Sequence, residues 1–240
     1  MPDLRQLENP RTNLASQIIS SDGEILGKYY LKDNRTPISF DQLPTNMVEA
    51  LIATEDERFY EHSGIDWRGT LRAFVYLGKR GGASTITQQL ARQIFVGVRS
   101  RNILKTVLQK AQEWVISVQL EQRYTKKEIL AMYLNNYDFG YQADGVQSAA
   151  KIFFDKTPQT LSTEESATLV GMLKNSSYYN PIRRSNLVSK RRNIVFQQMV
   201  RNNVITQRVC DSLSKLPLVI TYTPQSHREG LATYFRAYLK

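Results

Sequence analysis

The chain has 240 residues, 41% of them hydrophobic, a formal charge of +10 and one cysteine, Cys210. That apolar content excludes wholesale disorder, and a single cysteine excludes a disulfide framework or a cysteine metal cluster. The charge implies an anionic partner (nucleic acid, a lipid surface or a phosphorylated substrate) without choosing among them. No apolar run reaches the roughly 18 residues that span a bilayer, and the polar opening is not a signal peptide. If the protein works outside the cytoplasm, this sequence is a fragment without its targeting segment.

Residues 1–15 read as an irregular lead-in. Residues 16–32 alternate apolar and polar around Asp22-Gly23, which predicts two strands joined by a tight turn. Pro37 and Pro44 punctuate the exit, and Asn46 followed by Glu49 fits a capping-box variant opening a helix. In that helix Met47, Leu51 and Glu55 lie four apart, so Glu55 falls on the core-facing row and Asp56 turns roughly 100° away. A carboxylate facing a core is costly unless paired or used. Partial desolvation also raises a carboxylate's proton affinity toward the range of a general base. Two readings stay open for Glu55: a helix-ending carboxylate that finds an arginine, or a base. His62 follows Phe59-Tyr60 and precedes Gly64; a lone histidine of this kind is a hydrogen-bonded structural residue or a proton carrier.

Residues 67–79 place Trp67, Leu71, Phe74 and Val75 at helical spacing, and Gly81-Gly82 ends the run. A helix follows over residues 83–95, with Ser84 or Thr85 as N-cap and Ile86, Leu90 and Ile94 on one face. Glycines, hydroxyls and amides at a helix start suit a phosphate or diphosphate, or are an ordinary break and cap. Arg92, two turns further along, serves that anion or is a solvated charge. Residues 96–101 form a basic loop. Over residues 102–122 the main apolar stripe is Leu104, Val107, Leu108, Ala111, Val115 and Val118. Glu113, Ile116 and Leu120 share another face, so this helix is expected to be buried on two sides. Lys110 stands three before Glu113, within reach of an intrahelical pair. Alternatively Glu55 and Glu113 form the two carboxylates of glycosyl chemistry.

Thr125 caps a helix with Ile129, Leu130 and Tyr133 inward, and residues 135–145 form a loop. Ser162 and Glu165 make a capping box for a helix through Leu173. Residues 185–201 form a last strong helix with Lys190, Arg191 and Arg192 clustered, and the tail turns strand-like after Pro217. Ser212 and Lys215 match S-x-x-K, but no SDN or KTG element follows, so the spacing is coincidental. No helix-turn-helix, zinc-finger or RNP pattern appears, and the scattered cations fit anionic lipid better than nucleic acid. The fold class is mainly α with a small N-terminal β hairpin.

Five stretches then form one ordered constellation. E-D-x-x-F-x-x-H-x-G is met by Glu55, Asp56, Phe59, His62 and Gly64. G-x-S-T-I-T-Q-Q is met by Gly82, Ser84, Thr85, Ile86, Thr87, Gln88 and Gln89. K-x-x-E is Lys110 and Glu113. K-x-x-I-L-x-x-Y-x-N is Lys126, Ile129, Leu130, Tyr133 and Asn135. R-R-x-x-V-x-x-x-M is Arg191, Arg192, Val195 and Met199. Together they resemble the peptidoglycan glycosyltransferase domain of class A (bifunctional) penicillin-binding proteins, glycosyltransferase family 51. Three places depart from the family pattern. Gln109 stands for an arginine beside Lys110, Arg92-Gln93 for lysine-asparagine, and Phe196 for leucine.

The resemblance implies a lysozyme-like α fold over residues 41–205, after a lead-in and hairpin at 1–40. Residues 206–240 would start a linker toward a missing transpeptidase domain. It implies polymerisation of lipid II into glycan chains by inverting transfer onto the acceptor sugar 4-hydroxyl, with release of undecaprenyl diphosphate. By that carry-over Glu55 is the general base. Glu113 assists at the donor side, directly or through a divalent metal (Mg or Mn), with no organic cofactor. Arg92 and Lys110 neutralise the leaving diphosphate. Ser84, Thr85, Gln88 and Gln89 line the donor site, and Asp56, Phe59, His62 and Asn135 join the substrate-binding set. Asp56 doubles as an anchor for the turn through Phe59 and His62. Lys174 and Ser177 sit on the cleft wall. The implied partners are lipid II, the growing glycan strand, the membrane surface and other cell-wall synthesis proteins, not nucleic acid. An apolar patch near the second motif would dip into the lipid. The implied location is the extracytoplasmic face of the bacterial inner membrane, with an N-terminal transmembrane anchor outside this chain. A monofunctional transglycosylase, a lysozyme-like peptidoglycan hydrolase and a non-enzymatic basic binding module are the alternatives.

Overall fold

The structure, a computed structural model, describes residues 16–23, 25–29, 34–75, 84–98 and 100–224. The lead-in, the Gly81-Gly82 break and the tail from residue 225 lie outside the described residues. Strands β1 (Ser16–Ile19) and β2 (Ile25–Tyr29) pair antiparallel, with a bulge at Ile18/Ile19. Gly23 supplies the positive φ of 88° that the turn between them needs. The expected hairpin is present.

Helices form the rest: α1 (Thr45–Glu55), α2 (Trp67–Val75), α3 (Ile86–Ala91), α4 (Ile103–Arg123) and α5 (Lys126–Asn136) come first. They are followed by α6 (Val146–Phe154), α7 (Thr163–Met172), α8 (Ser185–Arg201) and α9 (Gln207–Lys215). α1 packs on α7 and α8, α8 also carries α9, and α3 lies against α4 and α5. Met47, Leu51, Phe59, Leu90, Tyr133 and Phe153 are fully enclosed in one continuous core. Each such side chain contributes about 1.5–3 kcal/mol by leaving water.

Local signals act as read at Thr125–Glu128 and Ser162–Glu165, where both halves of each capping box are formed. Thr85, not Ser84, caps α3 by accepting the Gln88 N–H. Asn46 does not cap α1. Its amide instead reaches the start of α7, accepting from Ser166 Oγ at 3.1 Å, because Pro44 already occupies the capping position. The helix expected over 83–95 is α only to Ala91; Arg92–Val96 widen into a π turn, a distortion frequent at functional sites.

Two larger expectations change. The long helix α4 is buried on one side, through Glu113, Ile116, Ser117 and Leu120. Its other apolar stripe is open: Leu104 is 80% exposed, and Val107, Leu108 and Val115 are exposed too. Trp67, Leu71 and Val75 on α2 are likewise exposed, as is Val98. The Lys190–Arg192 cluster is not a surface patch either. Arg191 and Arg192 are buried, and Arg192 donates from Nη2 to Leu216 O at 2.7 Å. Burial pushes the Arg192 guanidinium pKa down from its ordinary value. That contact clamps the chain just after α9, and Thr221 and Thr223 donate backbone N–H groups to Phe153 and Ile152 carbonyls. The stretch expected to begin a linker at residue 206 is therefore packed on the helical body as far as Thr223.

Candidate active site

The site is assembled around the end of α1. Glu55 is its last residue and continues the row of Met47 and Leu51, so it leaves the core half-buried. At Asp56 the backbone leaves the helix (φ −159°, ψ 76°). Asp56 is buried. Its carboxylate meets His62 Nε2 at 3.0 and 3.1 Å and accepts the Ile86 N–H at 3.0 Å. An anion at the first N–H groups of α3 also complements the helix dipole there. His62 Nδ1 in turn accepts the Gly64 N–H at 3.2 Å.

Gly64 is the joint between three elements. Its carbonyl accepts Thr85 Oγ1 at 2.7 Å and Gln88 Nε2 at 3.2 Å. Its φ is +91°, and a Cβ there would stand 2.8 Å from the Ser117 carbonyl of α4. Lys126 completes the joint, donating to His62 O at 2.6 Å and lying 4.3 Å over the Phe59 ring.

On this frame sit two charged groupings. In the first, Gln89 Nε2 donates to Glu55 Oε2 at 3.0 Å, and Arg191 Nη2 stands 3.8 Å from Glu55 Oε1. Tyr133 Oη donates to Gln89 Oε1 at 2.9 Å. Burial first, then the Glu55 charge, holds the Tyr133 phenol well above its ordinary pKa. In the second, Lys110 Nζ donates to Glu113 Oε2 at 2.9 Å, Gln88 Oε1 at 2.8 Å and Ser84 Oγ at 3.0 Å. Glu113 is 1% exposed. The intrahelical pair expected from spacing is formed, and it is part of a wider cluster. The consecutive residues Gln88 and Gln89 join the two groupings.

Arg92 is half-buried beside this ensemble, close enough for its charge to act on the Tyr133 hydroxyl. Lys174 and Ser177 are exposed on the turn after α7. That turn approaches through Tyr137, whose Oη donates to Met172 O at 3.0 Å. Burial pushes the Tyr137 pKa up to about 12, helped by the Glu55 charge.

Six of the residues expected to contact substrate are enclosed in this geometry. Asp56, Phe59, Thr85, Gln88 and Asn135 are buried, and the His62 ring is 7% exposed. The polar atoms of the five that have them are engaged by other protein groups. Asn135 is also elsewhere: it brackets Ile38, donating to its carbonyl at 2.8 Å and accepting its N–H at 3.1 Å. Glu55, Ser84, Gln89, Arg92, Lys110, Lys174 and Ser177 keep some exposure.

Arg191 and Tyr133 belong to the site although only their motif positions pointed to them. Their signal was a buried cation and a buried phenol in otherwise apolar helix faces. Gln109 does not point at a substrate. It straps the preceding loop, accepting Ser100 N–H at 2.9 Å and donating to Val98 O at 3.0 Å.

A resident divalent ion does not fit the donor set at Glu113. The carboxylate is enclosed and already paired with an ammonium, and among the described residues no group of three or more His, Cys, Asp or Glu side chains gathers around a common point.

Fold and site thus define an α-helical domain in which one short helix links a half-open carboxylate to a fixed ammonium. Residues 22–200 match the family described as Transglycosylase, and the chain belongs to that family. Penicillin-binding protein 1A of Escherichia coli (strain K12) is 41% identical over 215 residues, 88% of this chain and 25% of the relative. Penicillin-binding protein 1F of Bacillus subtilis (strain 168) is 35% identical over 231 residues, 94% of this chain and 31% of the relative. The chain therefore spans about a quarter to a third of the curated relatives it matches. The 2.6 Å crystal structure of penicillin-binding protein 1A from Haemophilus influenzae shares the fold, with a TM-score of 0.51 at 23% identity over 95% of this chain and 24% of that one.

Proposed function

We propose that this domain is a peptidoglycan glycosyltransferase that polymerises lipid II by inverting transfer. The observation that carries the reading is the pair of groupings joined through Gln88 and Gln89: a half-open carboxylate on one side and a fixed ammonium on the other. Glu55 takes the proton of the acceptor sugar 4-hydroxyl, and the freed oxygen attacks the donor sugar from the face opposite its diphosphate. Lys110, held by three oxygen acceptors, and Arg92 stabilise the charge that grows on the departing undecaprenyl diphosphate. Such fixed charges need no reorganisation during the step, which is why they favour the transition state. Because a resident ion does not fit the Glu113 donors, no step is routed through a metal.

The exposed apolar stripe of α4, together with α2 and Val98, seats the domain on a lipid surface, with exposed Arg68, Arg101 and Lys105 meeting anionic headgroups. Among the described residues no helix is long and apolar enough to cross a membrane. A place on the extracytoplasmic face, the growing glycan strand as a held partner and further cell-wall synthesis proteins belong to the same proposal. A hydrolase is the less favoured reading, because a water-splitting site has no use for cations built to hold a diphosphate.

The test is incubation with fluorescent lipid II and a divalent cation, with products resolved by size. Glycan polymer made by the native chain and absent with Glu55→Gln is the expected result. Shortening of pre-formed glycan with no polymer would overturn it in favour of a hydrolase.

A further inference from the structure

We propose that Tyr133 is a positioning residue that, acting through Gln89, decides which oxygen of Glu55 receives the proton. The proposal rests on the reading of Glu55 as the base. A glutamine amide has a donor end and an acceptor end, and rotation about its last bond exchanges them. Ionised Glu55 only accepts and so calls for the amino end of Gln89, but once Glu55 carries the proton Gln89 could turn either end to it. Tyr133 removes the choice. Its ring is fully buried, and its hydroxyl donates to Gln89 Oε1 at 2.9 Å. The raised pKa of the phenol keeps the proton on that oxygen throughout the working range. With Oε1 of Gln89 captured, the amino group must face Glu55, where it donates to Oε2 at 3.0 Å.

The two carboxylate oxygens are thereby made unequal. Oε2 is occupied by a donor that cannot turn away. Among the described residues Oε1 has only the Arg191 guanidinium, at 3.8 Å, beyond hydrogen-bond length. The incoming proton goes to Oε1. The sugar O–H bond breaks as the Oε1–H bond forms, and the sugar oxygen's electron pair becomes the new glycosidic bond. The diphosphate leaves with the electrons of the bond it loses. Arg191 is itself fixed, donating from Nε to Gly171 O at 3.3 Å, with its guanidinium 5.8 Å over the Tyr179 ring. It therefore limits how far Oε1 swings. Tyr133 touches neither reactant in this scheme; its effect is on the orientation of a group two hydrogen bonds away.

The test is a double-mutant cycle on the full chain, with Tyr133→Phe, Gln89→Met and the pair, measuring kcat, KM for lipid II and the melting temperature. Tyr133→Phe is expected to lower kcat about tenfold, equivalent to about 1.4 kcal/mol of barrier, with KM within about twofold of the native value. The pair is expected to be no slower than Gln89→Met alone, since both changes interrupt one path. Losses that multiply in the pair, or an unchanged kcat in Tyr133→Phe, overturn the proposal.

If Tyr133→Phe melts too low to assay, Gln89→Glu replaces it. That variant keeps the acceptor for Tyr133 and sets a second carboxylate against Glu55. It is expected to move the pH profile of kcat upward by about one unit or more, as two carboxylates share a proton; a superposable profile overturns the proposal. A native chain that makes no polymer, or a Glu55→Gln variant of native activity, overturns instead the base assignment beneath it.

Discussion

Replacing Lys110 with methionine separates what the Lys110 cluster does for the fold from what it does for the reaction. The substitution keeps a four-atom apolar stem and removes the ammonium. Glu113, 1% exposed, then loses its cation, and Gln88 Oε1 and Ser84 Oγ lose their donor. Removing one partner of a buried ion pair costs about 3–5 kcal/mol, because the remaining charge is stranded. Here the Lys110 side chain is 30% exposed, so water reaches that end of the pair and the lower figure, about 3 kcal/mol, applies. For a domain of this size that lowers the melting temperature by about 6–12 °C. The double change Lys110→Met with Glu113→Gln strands no charge. It is expected to melt within about 4 °C of the native chain while remaining as inactive as the single variant. Thermal melting by circular dichroism at neutral pH, beside the polymer assay, reads both quantities. The reasoning is refuted if the single variant melts like the native chain, or if the double variant melts below the single one.

Gly64→Ala combines a positive-φ penalty with a 2.8 Å clash against the Ser117 carbonyl. It is expected to cost about 3 kcal/mol or more, against about 1 kcal/mol for Gly140→Ala, where φ is +80° but no atom lies within 4 Å; urea unfolding compares the two. Asp66 is pulled in two directions: burial pushes its pKa up, but the Arg58 guanidinium and the Gly69 N–H outweigh it, leaving the pKa below its ordinary 3.8. Its contribution to stability is therefore present above that value and lost as pH falls through the depressed one. Asp66→Asn should flatten the fall of melting temperature below about pH 4, and parallel curves for variant and native chain would contradict this. Leu104→Ser with Leu108→Ser removes two exposed anchors. Vesicles containing anionic lipid should bind the pair of changes on the order of tenfold to a hundredfold more weakly in co-sedimentation, with melting unchanged.

The parts of this fold that could be read from sequence are those decided within a few residues. Asp22-Gly23 turns a hairpin, Thr125 and Ser162 close their capping boxes, and Lys110 reaches Glu113 one turn away. The core-facing row ending at Glu55 was legible for the same reason. Apolar periodicity in α4 was not decisive, because a stripe that meets lipid has the same period and composition as one that meets a core. Leu104 and Ile116 look alike until the neighbours of each are known. The fate of buried polar groups was also illegible. Asn135 binding Ile38, Arg192 reaching Leu216 and Gln109 strapping Val98 are set by partners distant in sequence or by a loop whose path no local signal specifies. Within the site, the family pattern did not distinguish enclosed side chains from exposed ones. Asp56, Phe59, His62 and Gln88 are enclosed, and fewer side chains face outward than the motifs suggested.

Gln88 and Gln89 are consecutive on α3, a helix of 6 residues, so their side chains depart about 100° apart and about 1.5 Å along the axis. One is tethered to the Lys110 ammonium and the other to Glu55. On the proposed function, the offset between the place where a proton is taken and the place where charge is released is thus set by two hydrogen-bonded side chains one residue apart. Successive sugar additions would be made against the same gauge, and inserting one residue between the two glutamines would spoil it more completely than replacing either of them.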